Sequence, residues 1–297
     1  MSNKVYVLYH ANCHDGAMAA ALARKEIRKF KYEPIMIPSS YGNHIPDIEI
    51  DSLVYIVDFS FKEKETRQLS AIARKLIIID HHITAQEEYE KFKDLENIHF
   101  VFDINISGTY GVWNYFHEDE APPYSVKLVS DRDLFAFKYN DDTRNLYSYM
   151  QTLEYDLDKY EEILNSVGLT MFLEIGKNCR KLHEALVNNY VKNPITEVEL
   201  NGNRMKLFNL QFEFGSDVCN LYLQQNPEEK FVAYFLMTND NEVNFGLRSL
   251  IPKNDVSEIA KFYNGGGHKC ASGFKLTLGQ FYELIKPIRS PLDLVFE

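Results

Sequence analysis

The stretch Leu76-Ile77-Ile78-Ile79-Asp80-His81-His82 decides how this chain reads. Four consecutive apolar side chains, three of them β-branched, make a strand with no polar face. Such a strand belongs in a parallel sheet covered by helices on both sides. Parallel α/β sheets build their sites beyond the carboxyl ends of the strands. Asp80, His81 and His82 fall at that place.

The same arrangement recurs outward from this stretch. Residues 5–9 form an apolar strand followed by His10 and Asp15, and residues 53–57 form another followed by Asp58. Residues 33–37, ended by Pro38, and residues 99–102 complete a set of five strands. Residues 17–30 and 62–74 carry helical composition between them. Helices then dominate to about residue 191, with 171–191 as one long connecting helix stopped by Asn193-Pro194. Beyond it the period changes to two. Residues 196–200 and 204–210 alternate about the hairpin signal Asn201-Gly202, and residues 231–237 and 243–247 form a second hairpin. The expected architecture is α/β. A parallel-sheet domain over 1–190 is joined by its helix to a smaller α/β domain over 191–297, with a mixed or antiparallel sheet.

The chain has 32 Lys and Arg against 43 Asp and Glu, a net charge of −11. Nonspecific binding to duplex DNA rests on neutralising phosphates, so this balance excludes a protein that coats long duplexes. It leaves room for a local groove that takes a short anion. The four cysteines, Cys13, Cys179, Cys219 and Cys270, form neither a C-x-x-C pair nor a disulfide framework. The apolar runs are strand-sized, far from the roughly 20 residues of a membrane span. The expectation is a cytoplasmic protein with no membrane association.

A divalent metal of hard or borderline character takes carboxylate oxygen and imidazole nitrogen. Two metals about 3.5–4 Å apart need one shared carboxylate and separate ligands besides. His10, Asp15, Asp58 and His81 supply such a set from strand tips, and Asp131 is a fifth candidate from the helical segment. Any one strand-end Asp is ordinarily a helix cap, but four such positions in one half-chain exceed what capping needs. A second signal lies far away. Gly265-Gly266-Gly267-His268 lets the backbone approach a ligand closely and offers N–H groups for an anion nest, where a helix cap needs only one glycine. Arg248, ending a predicted strand, can make a bidentate phosphate contact. Phe212, Phe214 and Tyr263 are candidates for stacking bases, with core packing the ordinary reading of each.

These motifs, in this order, resemble the DHH phosphoesterase family in the group with a DHH-associated C-terminal domain. The resemblance rests on His10 with Asp15-Gly16, Asp58, Asp80-His81-His82, Asp131, and Gly265 through His268, and spans nearly the whole chain. It implies a two-metal phosphoesterase, typically with Mn2+, and with Mg2+ or Zn2+ as alternatives. By that likeness Asp58 bridges two metals, His10 binds the first, and Asp15, His81 and Asp131 bind the second. Asp80 and His82 are the catalytic members of the motif, with His82 facing the substrate phosphate. Arg248, Gly265, Gly266, Gly267 and His268 bind substrate. One departure stands out. Many members carry two aspartates after the N-terminal His, whereas the stretch here is His10-Ala11-Asn12-Cys13-His14-Asp15-Gly16, leaving Asn12, Cys13 or His14 as stand-ins. Cys13 or His14 would suit a softer metal such as zinc. The expected activity is hydrolysis of short single-stranded oligonucleotides or related nucleotide phosphoesters to nucleoside monophosphates, with a homodimer allowed. The alternatives are a polyphosphate or cyclic-dinucleotide hydrolase, or a non-catalytic nucleotide-binding homologue.

Overall fold

The computed structural model describes residues 4–285 except 41, 43, 119, 166 and 239. Contacts divide the chain into two units, Met1–His183 and Glu184–Glu297.

The first unit is built on strands β1 (Val5–His10), β2 (Ile35–Ser39), β3 (Leu53–Val57), β4 (Lys75–Asp80) and β5 (Ile98–Phe102). All pairings are parallel, in the order β2-β1-β3-β4-β5. The continuous apolar runs are explained by two cores. Val5, Val7, Tyr9, Tyr55, Val57, Ile77 and Ile79 pack into one, while Tyr6, Leu8, Val54, Ile56, Leu76 and Ile78 pack into the other. Alternate residues of each strand thus face opposite sides of the sheet, and both sides are dry.

Helices of this unit are α1 (His14–Lys29), α2 (Glu63–Ile72), α3 (Ile83–Tyr89), α4 (Gly108–His117), α5 (Tyr124–Asp133), α6 (Asp141–Met150) and α7 (Leu157–Leu164). Helix α1 starts earlier than its composition implies, so Asp15 and Gly16 lie in its first turn, directly after β1. A Cβ on Gly16 would fall 2.3 Å from the His10 carbonyl oxygen. Only glycine lets the helix turn back this tightly onto the strand that precedes it. Strand order reverses between β1 and β3, so the crevice expected at a switch point opens where His10 and Asp58 emerge.

Helix α8 (Leu169–Tyr190) is shared between the units. The division falls inside it because Leu169 and Phe172 join the first core, whereas Val187 joins a core of the second unit with Phe208, Val218 and Tyr234. The second unit holds β6 (Thr196–Leu200), β7 (Asn203–Asn209), α9 (Phe212–Gln225), β8 (Val232–Met237), β9 (Glu242–Arg248), α10 (Val256–Phe262), β10 (Gly266–His268), β11 (Ala271–Thr277) and α11 (Leu278–Ile285). Its sheet is mixed, in the order β10-β11-β9-β8-β7-β6, with β7–β8 parallel and the other pairs antiparallel. Asn201 and Gly202 both take positive φ, 46° and 74°, as a two-residue hairpin with matching twist requires. No helix of the described residues is long and apolar enough to cross a membrane.

Candidate metal centre

The tips of β1, β3 and β4 and the start of α1 deliver the polar cluster. Asp58 follows β3 in the left-handed conformation (φ 57°), which aspartate tolerates better than most residues. It is 1% exposed and lies between two imidazoles. Its Oδ1 is 3.0 Å from His81 Nε2, and its Oδ2 is 3.4 Å from His10 Nδ1. His81 Nε2 also lies 3.6 Å from Asp133 Oδ2 and 4.0 Å from Asp15 Oδ2. Among the described residues, Asp58 enters two groupings, Asp15–Asp58–His81 and His10–Asp58–His82, each with its ligand atoms within 4.8 Å of one another.

The N-terminus of α4 braces the carboxylates. Thr109 N donates to Asp15 Oδ1 at 3.2 Å, and Thr109 Oγ1 donates to the Asp15 carbonyl at 3.0 Å. Gly108 packs so closely on Asp58 that an added Cβ would lie 2.4 Å from its Cβ. The first turn of a helix carries unpaired N–H groups and partial positive charge, which favour carboxylates held there.

The charges do not balance within the cluster. Burial lowers an imidazole, but Asp133, Asp58 and Asp15 outweigh it and push His81 up to about 10. Burial, with the Asp58 and Asp133 carboxylates, pushes Asp15 well above the usual carboxylate range. Burial opposes ionisation of Asp58 as well, yet the neighbouring His10 and His81 imidazoles hold it well below that range. Three carboxylates and one imidazolium leave excess negative charge, which protons relieve in part and a divalent cation would relieve more fully. Asp58 Oδ2 is buried and has no hydrogen-bond partner among the described residues. Carboxylate oxygens with imidazole nitrogens are donors that Mn2+, Mg2+ or Zn2+ accept, so this residue set fits a divalent metal.

Asp131 is not brought to the cluster. Its carboxylate accepts from Lys138 N at 2.7 Å, Tyr139 N at 3.2 Å and Thr143 Oγ1, and so organises the turn after α5. Asp133 reaches His81 in its place, with a quarter of its side chain exposed. At about 100° per residue, helix positions two apart point to nearly opposite sides, so only one of the pair can face the strand tips.

Asp80 also faces away from metal chemistry. Its Oδ1 accepts from His81 N at 2.7 Å, His82 N at 3.1 Å and His82 Nδ1 at 2.7 Å, and its Oδ2 accepts from Ser60 Oγ. It positions His82, whose ring lies edge-on to His10 with centroids 5.9 Å apart.

The three stand-ins separate. His14 Nδ1 pairs with Tyr160 OH at 2.6 Å and its ring stacks on Tyr155, while burial and Arg132 push it down to about 4. Asn12 is a left-handed turn residue whose carbonyl accepts from Tyr155 OH. Cys13 precedes α1 and feels the cluster: burial and the Asp58, Asp133 and Asp15 carboxylates push its thiol well up.

In the second unit, Gly266, Gly267 and His268 form an edge strand paired with Gly273, Ser272 and Ala271. The glycines have a packing reason: a Cβ on Gly265 would fall 2.1 Å from the Gly273 carbonyl oxygen, and Gly267 takes φ 137°. The left-handed residue after α10 is Asn264, not a glycine. Arg248 Nη2 and Nε donate to Ser216 Oγ at 2.9 and 3.3 Å, and Nη1 donates to the Leu247 carbonyl. Tyr263 stacks on Phe274 and Phe214 packs beside a core, whereas Phe212 is exposed.

No family model matches the chain. An uncharacterised protein of Acanthamoeba polyphaga mimivirus is 27% identical over 284 residues, covering 90% of this chain. The chain spans 66% of that relative's length. Among solved structures, RecJ of Thermus thermophilus in complex with Mn2+ is similar at TM-score 0.51 and 15% identity, over 94% of this chain and 50% of that one. CDC45 of Entamoeba histolytica is similar at TM-score 0.50 and 8% identity, over 94% of this chain and 93% of that one. The likeness is one of fold: a parallel five-stranded sheet followed by a mixed sheet.

Proposed function

We propose that this chain is a DHH-type, metal-dependent phosphodiesterase that hydrolyses short single-stranded oligonucleotides or related nucleotide phosphoesters to nucleoside monophosphates. The observation that carries the reading is Asp58, buried and shared by two groupings of candidate ligands. A fold similar to that of RecJ, which was crystallised with Mn2+, supports it. The net charge of −11 suits a short substrate better than a long one.

Asp58 and His10 would hold one metal, and Asp58, Asp15, His81 and Asp133 a second. Two divalent ions so held supply Lewis-acid activation of water and neutralise charge on the phosphate. Thr109 and the start of α4 keep Asp15 oriented for that task. Asp80 holds the proton on His82 Nδ1, so His82 serves the phosphate or the leaving oxygen through Nε2. In the second unit, Arg248, Gly265, Gly266, Gly267 and His268 are assigned to substrate binding, Arg248 through its preorganised guanidinium.

The test is a Mn2+-supplemented assay against oligonucleotides of graded length, cyclic dinucleotides and polyphosphate, with products resolved. Release of nucleoside monophosphates, fastest from the shortest oligomers, is expected. No hydrolysis of any phosphodiester by metal-loaded protein overturns the reading.

A further inference from the structure

We infer that Ser60 is a positioning residue that holds the tautomer of His82 through Asp80. The inference rests on the reading of His82 as the side chain that serves the substrate phosphate.

Strands β3 and β4 pair in register, with Val57 beside Ile79, so the residues just past their ends are neighbours. Ser60 comes from one of these tips and Asp80 from the other. Ser60 is 6% exposed and Asp80 2%. An ionised carboxylate accepts and cannot donate, so the 2.5 Å contact between Ser60 Oγ and Asp80 Oδ2 must run from hydroxyl to carboxylate. That length belongs to the strong, charge-assisted class of O–H···O bonds. Three donors meet the other oxygen: His81 N, His82 N and His82 Nδ1.

The carboxylate is therefore held at both ends. The terminal torsion of an aspartate is broad, so a carboxylate released at one end can swing its plane away from His82 Nδ1. Ser60 blocks that motion. With Oδ1 fixed, His82 Nδ1 must carry a proton, and proton transfer or phosphate contact falls to Nε2. His10 and Asp58 group with His82 to within 4.8 Å. A ring turned to the other tautomer would put its proton on the wrong nitrogen for that group. The ion pairs of Asp15, Asp58 and Asp133 with His81 Nε2 do not involve Ser60, so Ser60→Ala leaves those candidate ligand atoms in the chain while it loosens Asp80.

The decisive experiment reads the ring nitrogens of His82 by 15N NMR in the metal-free full-length chain, at a pH where the ring is neutral. His82→Gln serves only to assign the signals. The wild type should show the proton on Nδ1. Ser60→Ala should give a mixture of both tautomers, and Ser60→Thr, which keeps the hydroxyl, should restore the wild-type signature. In the assay, Ser60→Ala should lower kcat roughly tenfold, as loss of an orienting partner commonly does, with KM within about twofold. If Ser60→Ala fails to fold, Ser60→Cys keeps the volume with a weaker donor and should shift the tautomer in the same direction. An unchanged ring signature in the folded Ala or Cys variant overturns the inference. A shifted signature in a chain that hydrolyses no phosphodiester leaves the role of Ser60 standing and removes the proposed activity instead.

Discussion

The strand tips of the first unit and the glycine-rich edge of the second both present polar residues that the sequence marks out, yet the two differ in how those residues are satisfied. At the tips, Asp15, Asp58 and Asp133 converge on one imidazole nitrogen, each buried or partly buried and each repelling the others. Nothing in folding requires three carboxylates there, and their proximity costs free energy unless a cation offsets it. At the edge, Gly266, Gly267 and His268 are paired with β11, and Arg248 is hydrogen-bonded to Ser216 and to Leu247. Each group in that region has a local reason to be where it is. Electrostatic conflict that folding alone does not explain is the stronger sign of a ligand.

The largest effect should come from Asp58→Asn. Asparagine keeps the shape and tolerates the left-handed backbone, so the fold should persist while activity falls at least about a thousandfold, roughly 4 kcal/mol of barrier. Activity within about tenfold of wild type would exclude Asp58 as a shared ligand of the reacting metals.

A contrast within α5 comes next. Asp133→Asn should weaken Mn2+ binding about 10- to 100-fold, measured by titration calorimetry, without lowering thermal stability. Asp131→Asn should do the opposite. It leaves the donors Lys138 N, Tyr139 N and Thr143 Oγ1 with poorer acceptors, at a cost of about 1–3 kcal/mol, while its direct effect on metal is small. Reversed results would return the ligand role to Asp131.

These cases show how far the residues alone could be read. The strand tips were legible because both-face burial and a polar stop are sequence signals, and so Asp58 and His81 stood out. Asp131 was singled out and Asp133 was not, because the choice between them depends on how α5 is rotated about its axis, and no spacing rule sets that. Ser60, Gly108 and Thr109 carry no motif; they matter through contacts across β4 and α4 that only the folded chain creates. The three glycines suggested close approach to a ligand, whereas close approach to β11 by itself excludes larger residues at Gly265 and Gly267.

A smaller effect is expected from pH. His81 is raised to about 10 from 6.5, so in metal-free protein its stabilising charge is fully present below about pH 6.5 and is lost as pH rises towards 10. Asp15, also raised, loses its proton at higher pH than in the unfolded chain, which again favours unfolding as pH rises. The Tm of chelator-treated protein should therefore fall between pH 6.5 and 10, and saturating Mn2+ should flatten or reverse that slope. A metal-free Tm that rises over this range contradicts the charge assignment.

The smallest effect should be that of Arg248→Ala on a minimal ester. Turnover of bis-nitrophenyl phosphate should stay within about threefold of wild type, while kcat/KM on a short oligonucleotide falls about tenfold or more, because remote contacts orient a larger substrate. Equal losses on both would place Arg248 at the reacting phosphate.

Electron paramagnetic resonance of a Mn2+ titration of the full chain and of Asp58→Asn tests whether Asp58 is shared by two metals. The expected result is two Mn2+ per wild-type chain with an exchange-coupled spectrum, and loss of that coupling in Asp58→Asn. Wild-type protein that binds no Mn2+, or an Asp58→Asn spectrum identical to wild type, would contradict it.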